Sequence, residues 1–204
     1  MNKKINIAIV GLGQVGSYLY NDLLKKKNDI NIKTGKLINI SAISAKNFKK
    51  KRKFKINKKI FFKNPLDILK KKKIDILVEA IGLSDGISKR LVETALRKRI
   101  HVVTPNKALI SKHGDFLSKL AEKNKVNLEF EASVGGGIPI LRTIKEGLAT
   151  NKINKVFGIL NGTCNYILTE MESTKDTFFN VLKKAQNLGY AEPGNPKLDL
   201  NGYD

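Results

Sequence analysis

Short apolar runs rich in β-branched residues alternate with helix-like segments along most of the chain, and this alternation restricts the possible folds more than any other feature. Strands that alternate with helices predict a parallel, doubly wound α/β sheet, because each crossover returns the chain to the same edge. The run Ile74–Ile81 predicts a strand that is buried on both faces. The predicted strands between residues 1 and 132 are Ile5–Val10, Leu37–Ile43, Ile60–Phe62, Ile74–Ile81, His101–Thr104 and Val126–Glu131.

Apolar residues at helical spacing predict the segments that connect these strands. Gly114 predicts a break in the longest of them, because glycine weakens the interior of a helix. The predicted helices are Val15–Leu24, Pro65–Lys72, Ser84–Lys98 and Lys107–Lys123.

A glycine-rich crossing, Val134–Pro139, leads into a second region of different character. One predicted strand there would have no partner for its backbone hydrogen bonds. We therefore expect residues 133–204 to be the beginning of an incomplete α+β domain. Its predicted elements are the helix Ile138–Leu148, the strand Lys155–Leu160, and the helices Asn161–Ser173 and Thr177–Leu188.

Three glycines, Gly11, Gly13 and Gly16, stand between the first predicted strand and the first predicted helix. In this context the spacing predicts a Rossmann-type dinucleotide-binding domain over residues 1–132. The first glycine permits the tight turn, the second lets a pyrophosphate approach the backbone, and the third lets the helix pack on the sheet. The N-terminus of the helix attracts the negative charge. An ordinary glycine turn is the alternative.

The end of the second predicted strand indicates which dinucleotide binds. NAD-binding domains usually carry an acidic residue there for the ribose hydroxyls, yet no acid occurs between Asp29 and Asp67. A carboxylate would repel a 2′-phosphate, whereas Ser44 and Lys46 could hold one. The sequence therefore favours NADP, with NAD as the alternative.

The net charge of +21, from 39 basic and 18 acidic residues, raises the possibility of nucleic-acid binding. The lysines are dispersed and are not interleaved with aromatic residues, apart from one dense cluster at Lys49–Lys53. We therefore interpret the charge as solvated surface. No apolar run approaches the length of a membrane span, and no secretory signal is evident at the N-terminus. With a single cysteine, Cys164, the composition fits a reduced, cytoplasmic setting.

Two further segments carry residues suited to chemistry. Lys107 follows the fifth predicted strand, at the edge of the sheet that faces the ligand crevice. Asn161-Gly162-Thr163 opens a predicted helix, where small polar residues can cap the helix and bind a carboxylate. Cys164 in the same segment could be a thiolate nucleophile, which would make the protein an acylating aldehyde dehydrogenase. Neither histidine is near it in sequence, so we favour a structural role.

An acidic cluster lies near the end of the chain, after Gly189-Tyr190-Ala191. Carboxylates close to a substrate can bind an ammonium group or orient a proton donor. Glu192, Asp199 and Asp204 are the candidates, and a plain acidic loop is the alternative.

Five ordered segments resemble homoserine dehydrogenase: the glycine turn, Thr104–Lys107, Glu131–Pro139, Gly158–Leu168, and Gly189–Pro193 with its acidic continuation. The resemblance implies NADP-dependent interconversion of L-homoserine and L-aspartate 4-semialdehyde, in the route to threonine, methionine and isoleucine. It also implies a homodimer and a monofunctional enzyme.

The resemblance also implies roles for single residues. Leu12, Gln14, Val15 and Ile81 would contact the cofactor, and Lys107 would lie between nicotinamide and substrate. Glu192 would bind the substrate amino group, and Asp199 and Asp204 would organise the reacting hydroxyl. Further residues around the substrate would be Asn161, Gly162, Thr163 and Tyr190. A sodium ion would be held by Glu131, Val134, Gly136 and Ile138.

The family's proton-transferring lysine follows the last aspartate by one helical turn. That position lies beyond Asp204. The segment Glu192–Asp199 is also one residue longer than the family's usual spacing. The resemblance therefore predicts that this chain is a C-terminally incomplete portion of the enzyme.

Overall fold

The computed structural model describes residues 3–48, 52, 54, 56–191 and 200–201. The chain divides into two compact units, Met1–Phe130 and Glu131–Asp204. In the described part of the chain, helices that combine the length and the apolar character needed to span a membrane are absent.

The first unit contains a six-stranded sheet. Its strands are β1 (Lys3–Val10), β2 (Lys36–Ser44), β3 (Phe61–Phe62), β4 (Ile76–Glu79), β5 (His101–Val103) and β6 (Leu128–Glu129). All neighbouring strands are parallel, in the order β3-β2-β1-β4-β5-β6. The predicted doubly wound α/β sheet is therefore confirmed. The chain reverses its direction of winding between β1 and β4, where such sheets bind ligands.

The helices of this unit are α1 (Gln14–Lys25), α2 (Lys27–Thr34), α3 (Pro65–Lys71), α4 (Ile87–Arg97) and α5 (Lys107–Lys123). The predicted break at Gly114 is wrong, because α5 continues through it with Leu109 and Leu117 buried on either side. The sequence pattern did not predict α2, which has no buried residue and therefore no apolar stripe. The helix predicted from Ser84 begins only at Ile87, after Gly86 with its positive φ of 63°.

The core of the first unit lies on both faces of the sheet. Ala8 and Val10 pack on one face against residues of α4 and α5, including Leu91 and Leu109. Ile7 and Ile9 point to the other face, where they pack with Tyr20 of α1 and its neighbours. This two-sided burial explains why the central strands are apolar runs. It also holds their carboxyl ends in place, and the candidate functional site lies at those ends.

The second unit has a short 3₁₀ turn, Glu131–Ser133, followed by α6 (Ile140–Arg142), a π-helical turn (Thr143–Gly147), α7 (Gly162–Thr174) and α8 (Phe178–Asn187). The predicted helices at α7 and α8 are confirmed, and they share a small core of Ile167, Val181 and Ala185. The predicted strand Lys155–Leu160 is wrong: the backbone there is irregular, and Phe157 is 79% exposed. Among the described residues of this unit there is no strand with which it could pair.

Candidate functional site

A tight glycine turn joins β1 to α1 at the carboxyl edge of the sheet. Gly11 has a φ of +95°, and a Cβ atom there would lie 2.2 Å from the carbonyl oxygen of Ala80. Its N–H donates to the carbonyl oxygen of Ser44 at 2.9 Å. The ends of β1, β2 and β4 therefore meet around a residue that must be glycine.

The other two glycines of the turn have different surroundings. A Cβ at Gly16 would lie 1.9 Å from the carbonyl oxygen of Gly11, so this position holds α1 close to the turn. A Cβ at Gly13 would meet nothing within 4 Å. Gly13 is also the N-cap of the 12-residue helix α1 and has no side-chain cap. The turn thus presents open space to backbone N–H groups at a helix N-terminus, which is a suitable cradle for a pyrophosphate.

A cleft of about 650 Å³ extends from this turn across the carboxyl edge of the sheet. Several of the predicted cofactor residues line it, namely Gly11, Leu12, Gly13, Ser44, Lys46 and Ile81. Other predicted cofactor residues are not part of its lining, namely Gln14, Val15, Gly16 and Lys107. The first three of these begin α1, and Lys107 begins α5.

The charge in the cleft is positive. Its described lining includes Lys46, Arg52 and Lys63 and contains no carboxylate. The guanidinium of Arg52 donates to the carbonyl oxygens of Phe48 at 3.2 Å and Asn47 at 3.0 Å, so it also shapes the loop after β2. The sequence pattern did not assign Arg52 or Lys63 to the cleft. The available signal was that Lys63 follows directly after a strand of a parallel sheet.

An apolar recess of about 340 Å³ adjoins the cleft and shares Lys46 and Lys63 with it. The rings of Phe48 and Phe61 meet edge to face there, with centroids 4.6 Å apart. The recess therefore offers an aromatic apolar surface beside three cations, Lys46, Lys58 and Lys63. This combination suits a heterocyclic base next to a phosphate group.

The segment that carries Lys107 is fixed by its neighbours. Asn106 is 6% exposed, and its side-chain oxygen caps α5 by accepting from the N–H of Leu109 at 3.1 Å. The hydroxyl of buried Thr104 donates to Glu79 Oε2 at 2.6 Å. Lys107 itself is half-buried as the first residue of α5. Glu79 is a residue that the sequence pattern missed, although a carboxylate within a buried strand is unusual enough to be a signal.

The loop between β4 and α4 is anchored to α5 by an ion-pair cluster. The carboxylate of Asp85 lies 2.7 Å from Lys112 Nζ and 2.9 Å from His113 Nε2, and it accepts from the Ser84 hydroxyl at 2.8 Å. These contacts hold the pKa of Asp85 far below its ordinary value, and the hydrogen bond from Lys112 has the largest effect. The cluster therefore holds one end of the cleft wall while Asp85 is ionised.

Within the second unit, two predicted substrate segments come together. Asn161 caps α7 by accepting from the N–H of Cys164 at 2.9 Å. The buried Thr163 donates its hydroxyl hydrogen to the carbonyl oxygen of Tyr190. The rings of Tyr166 and Tyr190 lie 4.9 Å apart. The Asn161–Thr163 turn and Tyr190 therefore form one local structure, in which Gly162 and Tyr190 are exposed.

The predicted cation turn is compact. The N–H of Val134 donates to the carbonyl oxygen of Glu131 at 3.2 Å, and that of Ile138 donates to Gly135 at 2.8 Å. The Glu131 carboxylate accepts from the backbone N–H groups of Leu141 and Arg142 at 3.1 and 3.0 Å. Clusters of three or more acidic, histidine or cysteine side chains that could hold a metal are absent from the described residues. A cation here would depend on backbone oxygens, which suits a hard ion such as sodium.

The remaining predicted site residues, Glu192, Asp199 and Asp204, lie outside the described residues. The alternative that relied on Cys164 as a nucleophile has no histidine in its own unit to act as the base, because the two histidines of the chain are His101 and His113. The backbone of Cys164 takes part in the cap of α7.

Two family models match the chain. The model for "Homoserine dehydrogenase, NAD binding domain" matches residues 11–131, and the model for "Homoserine dehydrogenase" matches residues 139–204. The homoserine dehydrogenase of Neisseria gonorrhoeae is 41% identical over 202 residues, which cover 99% of this chain and 46% of the relative. That of Bacillus subtilis is 39% identical over the same shares of the two chains. The chain thus spans less than half the length of these relatives.

Solved structures agree with the sequence relatives. A homoserine dehydrogenase from Thiobacillus denitrificans superposes with a TM-score of 0.82 at 36% identity, covering 97% of this chain and 45% of that one. A mutant of a hyperthermophilic archaeal homoserine dehydrogenase, in complex with NADPH, gives a TM-score of 0.75 at 25% identity, covering 95% and 64% of the two chains. Because the NAD-binding model alone matches more than half of its residues, the chain belongs to the homoserine dehydrogenase family.

Proposed function

We propose that the protein to which this chain belongs interconverts L-homoserine and L-aspartate 4-semialdehyde with NADP. The main support for this proposal is the cleft at the glycine turn. Gly13 borders open space there, and the described lining of the cleft includes three cationic side chains and no carboxylate. Family membership supports the reaction. In this proposal residues 1–132 bind the nucleotide, and residues 133–204 contribute the first part of the substrate domain.

The backbone at Gly11 and Gly13 would hold the pyrophosphate, and Ile81 would border the nicotinamide half. Ser44 and Lys46 would hold the 2′-phosphate, which favours NADP over NAD. The cations Arg52 and Lys63 support this preference, because a phosphate monoester carries about 1.5 to 2 negative charges at neutral pH. A structural relative solved with NADPH also supports it. NAD remains the second candidate cofactor.

NADP bound in the cleft would supply the hydride acceptor for the hydroxyl-bearing carbon of homoserine, and NADPH would supply the hydride donor for the aldehyde. Oxidation also requires that the hydroxyl oxygen lose its proton, which in this proposal passes to the proton-transferring lysine that the family resemblance implies for the full-length protein. Asp199 and Asp204 would orient that hydroxyl, and the ammonium of Lys107 would stabilise negative charge developing on the oxygen. Glu192 would bind the substrate ammonium group by charge.

The substrate carboxylate needs hydrogen-bond donors rather than another acid. The turn Asn161-Gly162-Thr163 opens α7, and exposed Gly162 leaves its backbone accessible. Tyr190 is held beside this turn by the contact with Thr163. These residues would therefore form the polar end of the substrate site.

We further propose that the turn containing Glu131, Val134, Gly136 and Ile138 binds a sodium ion of structural importance. Its compactness supports this proposal, since closely spaced carbonyl oxygens suit a monovalent cation. Homodimerisation of the full-length protein and a place in threonine, methionine and isoleucine biosynthesis are expectations of the same proposal.

The direct test is a dehydrogenase assay on the full-length protein. L-Homoserine with NADP should give NADPH, whereas L-serine, which is one methylene shorter, should react far more slowly. The Lys107→Ala variant should lose most of the turnover while retaining NADP affinity within about twofold, because Lys107 is not part of the cleft lining and the cations of the cleft are unchanged. A protein that binds NADP but turns over L-serine as fast as L-homoserine would contradict the proposed substrate.

A further inference from the structure

Glu79, at the end of β4, is a fully buried carboxylate in an otherwise apolar strand. Its side chain is 0% exposed, and the residues before it, Leu77 and Val78, belong to the two apolar cores. An ionised carboxylate in such a place is costly unless hydrogen bonds replace its water. The function proposed above uses no property of this residue.

Neutral donors surround both carboxylate oxygens. Oε1 accepts from the N–H of Ile81 at 2.9 Å and from the buried Ser88 hydroxyl at 3.0 Å. Oε2 accepts from the Thr104 hydroxyl at 2.6 Å and from Asn106 Nδ2 at 3.3 Å. The N-terminal ends of α4 and α5 lie at Ser88 and Asn106, and their dipoles also favour a negative charge. We call Glu79, Ser88, Thr104 and Asn106 the Glu79 network.

The Glu79 network is hydrogen-bonded to two segments of the cofactor region, the cleft wall at Ile81–Leu83 and the segment Thr104–Lys107. Ile81 and Leu83 line the cleft; Ile81 is bonded to Glu79, and the Leu83 carbonyl accepts from Asn106 Nδ2 at 2.8 Å. On the other side, the backbone N–H of Asn106 donates to the Thr104 hydroxyl at 3.1 Å. Lys107 is the next residue of the chain. A single carboxylate thus connects the cleft wall after β4 with the segment that presents Lys107.

We infer that Glu79 is a positioning residue, which aligns the cleft wall at Ile81–Leu83 with the Thr104–Lys107 segment so that the nicotinamide half of the dinucleotide is received between them. This inference rests on the proposed nucleotide binding. The strand order assigns the adenosine half to the side of β2 and the nicotinamide half to the side of β4 and β5. The network therefore acts on one end of the ligand only.

The donors of the Glu79 network require that both side-chain oxygens of Glu79 accept hydrogen bonds. In Glu79→Gln the amide oxygen can still accept from Ile81 and Ser88, but the amide NH₂ then faces Thr104 and Asn106. The Asn106 NH₂ group and the Thr104 hydroxyl hydrogen then both lose the acceptor that Glu79 Oε2 provides. The Thr104 hydroxyl could accept from the new NH₂ only by giving up its own donated hydrogen bond. An isosteric substitution therefore breaks the half of the network that leads to Lys107.

The test measures the binding of two ligands to the full chain by calorimetry: NADPH, and 2′-phospho-ADP-ribose, which lacks the nicotinamide. In Glu79→Gln and Thr104→Val we expect NADPH affinity to fall by about tenfold, because the cleft wall and the Thr104–Lys107 segment would no longer be aligned for contact with the nicotinamide half. Affinity for 2′-phospho-ADP-ribose should stay within about twofold of the parent chain in each variant. Thr104→Ser, which keeps the hydroxyl, should restore NADPH affinity.

Each other outcome overturns the inference in a recognisable way. Equal losses for both ligands, or a Thr104→Ser variant as weak as Thr104→Val, would mean that the network only supports the fold. Unchanged NADPH affinity in both Glu79→Gln and Thr104→Val would mean that it positions nothing. If Glu79→Gln does not fold, the two Thr104 variants decide the question. If the parent chain does not bind 2′-phospho-ADP-ribose, the proposed NADP binding is wrong, and the inference that rests on it is wrong as well.

Discussion

Replacing Lys46 by alanine should weaken NADP binding and leave NAD binding almost unchanged. Lys46 borders the cleft just beyond the end of β2, and it is exposed to solvent. At about 4 Å, two unit charges attract by about 1 kcal/mol in water and by about 4 kcal/mol at an effective dielectric constant of 20. An exposed lysine belongs near the lower limit, and a phosphate monoester carries about 1.5 to 2 charges.

The expected loss is therefore about 1.5 to 2 kcal/mol, or roughly 10- to 30-fold in the dissociation constant of NADP. NAD has a hydroxyl in place of this phosphate and should lose less than about twofold. Because salt screens exposed charges, with a Debye length of about 10 Å at 0.1 M, the effect should shrink as ionic strength rises.

The measurement is a titration of both cofactors at two salt concentrations, with Lys36→Ala as the matched control. Lys36 begins the nine-residue strand β2 at its opposite end and is exposed, so it lies roughly 26 Å from Ser44 at about 3.3 Å per residue. The same charge is removed there, far outside the reach of the cleft. Equal losses for NADP and NAD in Lys46→Ala, or an equal NADP loss in Lys36→Ala, would refute the reasoning.

Three further outcomes follow from the structure. Gly16→Ala should destabilise the first unit by about 3 kcal/mol in thermal unfolding, since its Cβ would meet backbone at 1.9 Å, whereas Gly13→Ala should leave stability nearly unchanged and weaken only dinucleotide binding. Asn161→Ala should cost about 1 kcal/mol of unfolding free energy by removing the α7 cap, and Asn161→Asp should restore it; equal stabilities for these two would contradict the cap. Asp85→Asn should melt below the parent chain at neutral pH. Because the pKa of Asp85 is depressed in the folded state, that difference should close as pH falls below the ordinary pKa of 3.8; a constant difference would contradict the assignment.

The sequence predicted the sheet and the glycine turn because both are encoded locally. The carboxyl halves of β1, β2 and β4 are buried on both faces, so their apolar runs are visible without knowledge of their neighbours. The spacing of Gly11 and Gly16 reflects a contact between two residues only five positions apart, with Gly16 packed on the carbonyl of Gly11. Patterns of this kind need no information about distant parts of the chain.

The missed site residues depend on contacts that are distant in sequence. Arg52 and Lys63 reach the cleft only because β2 and β3 pair in parallel and end at the same edge. Glu79 meets Thr104 across 25 positions and Asn106 across 27. A single carboxylate in an apolar run signals that donors must exist somewhere, but only the strand order tells where they are.

The wrongly predicted strand Lys155–Leu160 shows the same dependence on distant contacts, because here the sequence pattern predicted an element that the structure lacks. Its β-branched and aromatic residues have strand propensity, which describes how well a side chain fits a pleated, half-buried surface. The backbone hydrogen bonds of a strand must come from another strand, whereas a helix such as α7 satisfies most of its own. Hence α7 and α8 needed only each other to bury Ile167 and Val181, and their sequence periodicity was sufficient to predict them. A strand is a property of a pair of segments, so its propensity alone could not predict the structure here.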